Sequence, residues 1–398
     1  MEIDNHGNPT HLGYCTNIHA GDDWATVFEQ LKTCLPKVRA GLDLIDPMGI
    51  GLRLSMQHLE ALEQDDTFTD FQRWLQDNNH NVFTLNGFPY GAFHGVPVKE
   101  QVYRPDWTNP ARLDYTCRLA TLHTRLAPPE DYGSISTLPG TFKAWALGQE
   151  ALIAEQLLQT VAHCVSLERD TGITIAIALE PEPCCLLETV DDTIQFFASW
   201  LQSDAAIARL STVTRLSAAN AREALYTHLG VCHDVCHSAV EFEDPLRAIA
   251  RLQGAGINII KLQLSSALRI TNVDETALKQ LARFDEPVYL HQVVEQIDEE
   301  LNRYTDLGDA RIAFESSESG NKREWRVHFH VPVFIEQLEH FGTTQSVLAE
   351  LLNLQQREGI CRHLEVETYT WDVLPETYRN VEISEAIARE LDWVRERL

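Results

Sequence analysis

Short runs of apolar residues, each followed by a segment with helical spacing, recur along the whole chain. Eight of these runs read as strands: 12–18 (LGYCTNI), 50–55 (IGLRLS), 81–86 (NVFTLN), 173–179 (ITIAIAL), 229–235 (LGVCHDV), 257–264 (INIIKLQL), 326–331 (RVHFHV) and 363–368 (HLEVET). Several carry apolar side chains at consecutive positions, the pattern of parallel strands covered on both faces. The intervening segments have helix starts. After a cap at Asp22 or Asp23, residues Trp24, Val27, Phe28, Leu31 and Leu35 keep the i, i+3, i+4, i+7 spacing of one buried face. Asp191 opens another helix, and Asp244-Pro245 a third that Gly254 and Gly256 close. No Gly/Ser/Pro-rich linker, repeat or low-complexity tract divides the sequence. The alternation therefore predicts an α/β chain folded as a single (β/α)8 TIM barrel over 1–398.

Two stretches exceed that plan. Residues 87–172, after the third strand, hold two helices near 109–127 and 144–169 and read as an enlarged crossover. Residues 287–325, before the seventh strand, hold the run VYLHQVV (288–294) and the polar loop ESSESGNKRE (315–324). They read as a hairpin over the barrel mouth, with HQVV pairing RVHFHV.

In a parallel barrel, chemistry gathers at the C-terminal ends of the strands. Here the fourth strand runs into Glu180-Pro181-Glu182-Pro183, and the fifth ends in Cys232-His233-Asp234-Val235-Cys236-His237. The sixth ends in Lys261-Leu262-Gln263 and the eighth in Glu365-Val366-Glu367. Buried carboxylates raise one another's pKa unless a cation neutralises them. A divalent metal held by a Glu, an Asp, an imidazole or amide, and a second Glu relieves that conflict. An oxygen-rich site with open positions suits Mn, Mg, Co or Zn. Glu365 and Glu367 share a face, and Glu367 lies nearer the mouth.

Asp234-Val-Cys-His237 resembles the Asp-x-x-His found after strand five or six in the xylose-isomerase-like superfamily of sugar isomerases and epimerases. Glu180-Pro181 resembles the Glu-Pro ending an earlier strand there, and Glu367 the glutamate closing the last. At finer grain HLGYCTNIHAGDDW, GIGLRLS, FTLNGFPYGAFHG, VKEQVYRPDW, LEPEP, CHDVCHSAVEFEDP, KLQLSSAL and WRVHFHVPVF resemble the EboE family. These are the so-called metabolite traffic proteins, and the resemblance covers essentially the whole chain.

The resemblance implies a divalent-metal site with Glu180 and Glu367 as flanking carboxylates, Asp234 as a third ligand and His237 beside it. It implies that the two glutamates exchange a substrate proton across a metal-stabilised enediolate. Such chemistry needs a base in reach of the C–H and a cation against the developing oxyanion. Where many sugar epimerases have a histidine ligand, this chain has Gln263. Either Gln263 is a ligand, or His330 or His233 substitutes. Two functions follow. One is an isomerase or epimerase of a small polyhydroxylated or keto metabolite. The other is a non-catalytic accessory that binds or channels a metabolite, acting with proteins of the same export pathway.

Further polar residues sit near the predicted mouth. Asn17 and His19 follow the first strand, Arg53 lies on the second and Asn86 ends the third. With His233, His237 and His330 they are the candidate substrate contacts. His328 alternates with His330 and faces the same side.

Charge narrows the partners. The 398 residues hold 59 acidic and 32 basic side chains, a formal charge of −27. Nucleic-acid binders need clustered Lys and Arg, so a phosphodiesterase on the same fold is disfavoured. Docking on an anionic membrane is disfavoured on the same ground, and no apolar run reaches the ~18 residues of a membrane span. The polar start MEIDNHGNPTH lacks secretory character, and nine cysteines, an odd number, read as reduced thiols. A cytoplasmic setting is the expectation. No GxGxxG, Walker, GxSxG or HExxH pattern competes with the carboxylate site.

Overall fold

The computed structural model describes residues 1–5, 8–94, 97–128, 131–317, 322–376, 379 and 381–398. Its strands in chain order are β1 Glu2–Asn5, β2 Asn8–Tyr14, β3 Met48–Arg53, β4 His80–Asn86, β5 Gly133–Thr137, β6 Ile175–Leu179 and β7 Leu229–Asp234. They continue with β8 Asn258–Leu264, β9 Ser266–Ile270, β10 Val293–Ile297, β11 Glu300–Tyr304, β12 Arg323–Val331, β13 Gly342–Thr343 and β14 His363–Val366. Strands β3 to β8 run parallel in sequence order, then β14 and β2 follow. A parallel bridge from Cys15 to Gly51 brings the end of β2 against β3 and closes the barrel. Short β1 pairs antiparallel with β2.

Two strand assignments change. Gly133–Thr137 is a barrel strand, so 87–172 is no enlarged crossover: helix Pro110–His123 completes the unit begun by β4, and β5 with helix Glu150–Thr171 forms the next. Its sequence, GSIST, escapes an apolar search because Ser134 and Ser136 are turned to a polar lumen. Conversely, RVHFHV belongs to β12, which lies in a second, antiparallel sheet ordered β11-β10-β12-β9-β13. That sheet is inserted between β8 and helix Gln345–Glu358. The expected pairing is present, with Val293 opposite Val327 and Val294 opposite Arg326. Positions 318–321 of the polar loop lie outside the described residues.

Helix starts follow side-chain chemistry. Asp23 Oδ1 accepts from the Thr26 N–H at 2.8 Å at the start of Trp24–Gly41, and Asp244 Oδ1 accepts from Arg247 N–H at 2.8 Å before Pro245–Gly254. Helix Val190–Phe196 is capped by Thr189 in a reciprocal box with Asp192, rather than by Asp191. The main core lies between barrel and helices: on β6, Ile175, Ile177 and Leu179 point outward into it. Ala176 and Ala178 share the inward face with Glu180 and pack with Cys232 and Ile260.

The lumen itself is polar at mid-height. Lys261 Nζ lies 2.5 Å from Glu365 Oε2 and donates to Ser136 Oγ at 3.1 Å, both charges fully buried. A Cβ on Gly51 would fall 1.6 Å from Glu365 Oε1, so only glycine leaves room for this carboxylate. Towards the N-terminal end, Asp131 sits 3.0 Å from His11 Nε2 and 3.0 Å from Arg362. Below the mouth, then, the lumen is filled by side chains. Among the described residues, no helix is long and apolar enough to cross a membrane.

Candidate active site

Three barrel strands end in acid. Glu180 follows β6, its N–H bonded to Thr137 O at 3.0 Å, and Glu367 follows β14, its N–H bonded to Leu264 O at 3.0 Å. Asp234 ends β7 and caps helix Val235–Val240, with Oδ1 accepting from His237 N–H at 3.0 Å and Ser265 Oγ at 2.8 Å. One carboxylate oxygen from each of Glu180, Asp234 and Glu367 lies within 4.8 Å of the others. All three residues are buried. Glu180 Oε2 and Asp234 Oδ2 have no hydrogen-bond partner among the described residues.

Three buried carboxylates cannot all ionise unaided. Burial, then the charges of Glu367 and Asp234, push Glu180 well above its ordinary range. Burial lifts Glu367 to about 7. Asp234 goes the other way: burial opposes ionisation, but the imidazoles of His237 and His330, with the His237 N–H and the Ser265 hydroxyl, outweigh it and lower its pKa. The three acids are thus driven apart in proton affinity, Asp234 downwards and Glu180 and Glu367 upwards. A divalent cation fits this donor set. Oxygens sharing one cation stand at most two bond lengths, roughly 4–5 Å, apart, and the partnerless oxygens are the ones such an ion would satisfy.

Amides set the orientation. Asn17 and Asn86 both donate to Glu367 Oε1, at 2.7 and 3.2 Å. Gln263 Nε2 donates to Glu180 Oε1 at 3.1 Å, and its oxygen accepts from the Cys232 thiol at 3.5 Å. Gln263 is therefore at the site but presents its amide NH2, not its oxygen, to the carboxylates.

The added sheet supplies the roof. From β12, His328 and His330 enter beside His237. His237 Nε2 is 3.1 Å from His328 Nε2, which is 3.2 Å from His330 Nε2. His330 Nδ1 lies 3.5 Å from Glu367 Oε2, linking the imidazoles to the acids. Glu182 joins from the other side, accepting from Tyr103 Oη at 2.8 Å and lying 3.6 Å from His328 Nδ1. Burial raises Glu182 to about 8 and lowers His237 to about 4. Apolar walls of Phe88, Phe93, Val102, Tyr289 and Tyr369 enclose the pocket.

Three candidate contacts are not brought there. His19 turns away to Tyr14 Oη at 2.8 Å, in a groove with Glu29 and Lys37, because the chain enters a 3-10 turn at Thr16–Ile18 instead of extending the strand. His233 lies on the opposite face of β7 from Asp234, as strand alternation requires, 3.4 Å from Ser238 Oγ. Arg53 donates to Gly91 O and lies 5.9 Å from the ring centre of Phe93, in the pocket wall. Gln292 joins the site without a motif of its own to mark it. The pairing of HQVV with RVHFHV is the signal that finds it, since that register carries on to the His328 N–H···Gln292 O bond at 2.8 Å.

The chain matches no protein-family model and no curated protein. Among solved structures it is similar to a xylose isomerase-like TIM barrel protein from Mycobacterium smegmatis in complex with magnesium. That match has 11% identity over 99% of this chain and 98% of that chain, at a TM-score of 0.52. The fold is a xylose-isomerase-like TIM barrel. Two further matches, at 11% identity each, are a D-tagatose 3-epimerase-like protein (97% and 96% of the two chains, TM-score 0.49) and the probable 3-DHS dehydratase AsbF of Bacillus anthracis (97% and 98%, TM-score 0.47). In this xylose-isomerase-like barrel the three acids occupy the strand ends at which the fold carries its chemistry.

Proposed function

We propose that this barrel is a divalent-metal-dependent isomerase or epimerase of a small polyhydroxylated or keto metabolite. The observation that carries the reading is the buried trio Glu180, Asp234 and Glu367, with oxygens left partnerless at the strand ends. These three residues would hold the cation, which when bound neutralises the acids and stabilises negative charge on a substrate oxygen. Glu180 and Glu367 are the proton carriers: burial raises both above the ordinary carboxylate range, Glu367 to about 7, and a carboxyl so raised is a stronger base. Asn17 and Asn86 orient Glu367 by binding one of its oxygens, while the other lies 3.5 Å from His330 Nδ1. The aromatic walls exclude water, which strengthens each polar contact inside.

The test is solvent-proton exchange. Metal-loaded protein incubated in D2O with candidate ketoses and aldoses should introduce deuterium at the carbon beside the carbonyl. Glu180→Gln and Glu367→Gln should each reduce exchange by at least 100-fold. Substrate turnover without any deuterium incorporation, or variants that exchange at the wild-type rate, would overturn the reading.

One observation favours a second reading, a non-catalytic carrier of the EboE type. Gln263 Nε2 binds Glu180 Oε1, so this position turns a hydrogen-bond donor towards the acids and offers no ligand atom to a cation. In that reading the pocket binds a metabolite and passes it to proteins of the same export pathway in the cytoplasm, a compartment that suits nine free thiols. Ligand binding that is unchanged by Glu180→Gln, with no exchange in any variant, is its signature.

A further inference from the structure

The closed end of the barrel, opposite the acids, holds a polar cluster whose contacts do not balance. β14 pairs with β2 so that His363 stands beside His11. Asp131 reaches both from the segment leading into β5, and one ligand atom from each of the three lies within 4.8 Å of the others. Packing fixes the rings: His11 stacks on Phe83 with ring centres 5.5 Å apart, and His363 on Tyr132 at 4.1 Å.

Asp131 is held by one oxygen only. Its Oδ1 accepts from the Tyr132 N–H at 2.7 Å and pairs with Arg362 at 3.0 Å. Its Oδ2 is turned to the imidazoles, 3.0 Å from His11 Nε2 and 3.6 Å from His363 Nε2. The Asp131 side chain is 2% exposed, yet Oδ2 has no hydrogen-bond partner among the described residues, and neither has His363 Nε2. The tautomer of His363 follows from its other nitrogen. Thr84 Oγ1 donates to Ser134 O at 3.3 Å, and the Ser134 hydroxyl donates to Thr84 Oγ1 at 2.7 Å. Ser134 Oγ is therefore left to accept, and His363 Nδ1–H donates to it at 2.8 Å. The neutral ring then aims the lone pair of Nε2 at a carboxylate oxygen. Burial brings His363 down to about 4, so the ring carries no proton of its own near neutral pH. A proton shared by His11 and Asp131 would serve one contact and leave that lone pair bare. A cation among the three atoms satisfies all of them.

We infer that His11, Asp131 and His363 form a metal site at the closed end of the barrel, for a divalent ion such as Zn or Co that takes nitrogen and oxygen together. Ligand atoms on a tetrahedral ion of this kind stand about 3.3 Å apart, and the observed 3.0 and 3.6 Å bracket that spacing. The outer contacts are those that orient ligands: a hydroxyl under His363 Nδ1, and an arginine and a backbone N–H on the far carboxylate oxygen. An ion here would be structural, clasping β2 and β14 to the start of β5, which is not their neighbour in the sheet.

The experiment loads the metal-stripped full chain with stoichiometric Zn(II). Anomalous scattering at the zinc edge from wild-type crystals should place an ion between these three side chains. In solution, native mass spectrometry of His363→Gln and Asp131→Asn should each show one Zn(II) equivalent fewer than wild type, its affinity weakened by at least the roughly 10–100-fold that lost outer contacts cost. A wild-type anomalous map with no peak at this end would overturn the inference without reliance on any variant's folding. Variants that hold as many equivalents as wild type, as tightly, would overturn it too. Neither result touches the proposed isomerase chemistry, because none of the three residues lies at the mouth.

Discussion

A single missing methyl group decides whether the barrel can hold its internal ion pair. At Gly51 an alanine Cβ would overlap Glu365 Oε1 at 1.6 Å, and this carboxylate cannot retreat without leaving Lys261 buried alone. Gly51→Ala should therefore destabilise the protein by roughly 3 kcal/mol or more, as breaking one partner from a buried pair does. Gly308→Ala, where an added Cβ meets nothing within 4 Å, serves as the control and should be near neutral. Chemical denaturation of both variants checks the difference. In the sequence Gly51 reads only as an interruption in IGLRLS, because its cause lies more than 300 positions away in Glu365. The site acids were more legible, since each follows its own strand directly. Asn17 and Asn86 also keep their places near the mouth, and both reach Glu367.

At the scale of elements, the helix Ile383–Arg395 ties two others together through one residue. Glu390 Oε1 accepts from Val333 N–H at 3.1 Å, just past β12, and from Thr368 Oγ1 at 2.6 Å, just past β14. Burial raises Glu390 to about 7, from an ordinary value of 4.5. Between those pH values the folded chain keeps a proton that the unfolded chain has released, so the residue's contribution to stability falls as pH rises across the window. Glu390→Gln should remove this dependence. Its stability relative to wild type should climb from pH ~4.5 to ~7, by on the order of 3 kcal/mol, and then level off. Thermal unfolding across that pH range is the measurement, and parallel curves would refute it. Two elements depart from the pattern that apolar periodicity predicts. Apolar periodicity finds strands packed on both faces, so it passed over β5, whose inward residues are serines. It accepted β12 as a barrel strand because RVHFHV is apolar and alternating, which an added sheet also requires.

For the whole molecule, the relevant quantity is repulsion. The chain carries a surplus of 27 negative charges, and three of its acids are buried close together at the mouth. A cation that binds only the folded state stabilises it by mass action, by about 2.7 kcal/mol when present at 100 times its dissociation constant. Mg(II) or Mn(II) should accordingly raise the unfolding midpoint in calorimetry, chelator should lower it, and a Glu180→Gln, Glu367→Gln double variant should show neither response. The overall architecture, strand followed by helix around a closed barrel, was readable from the alternation of apolar runs. The roof was readable in part: the pairing of HQVV with RVHFHV over the mouth, which carries His328 and His330, was expected, whereas the pairing of β12 with β9 on its other edge joins segments more than 50 positions apart and leaves no local trace.

The filled lumen has a consequence for traffic. Lys261, Glu365 and Ser136 plug the barrel below the acids, and His11, Asp131 and His363 cork it further down. The vessel is blind at one end. A small molecule that reaches the acids must leave by the door it came through, on the side of the added sheet. Relay through the barrel, in at one rim and out at the other, is ruled out by construction.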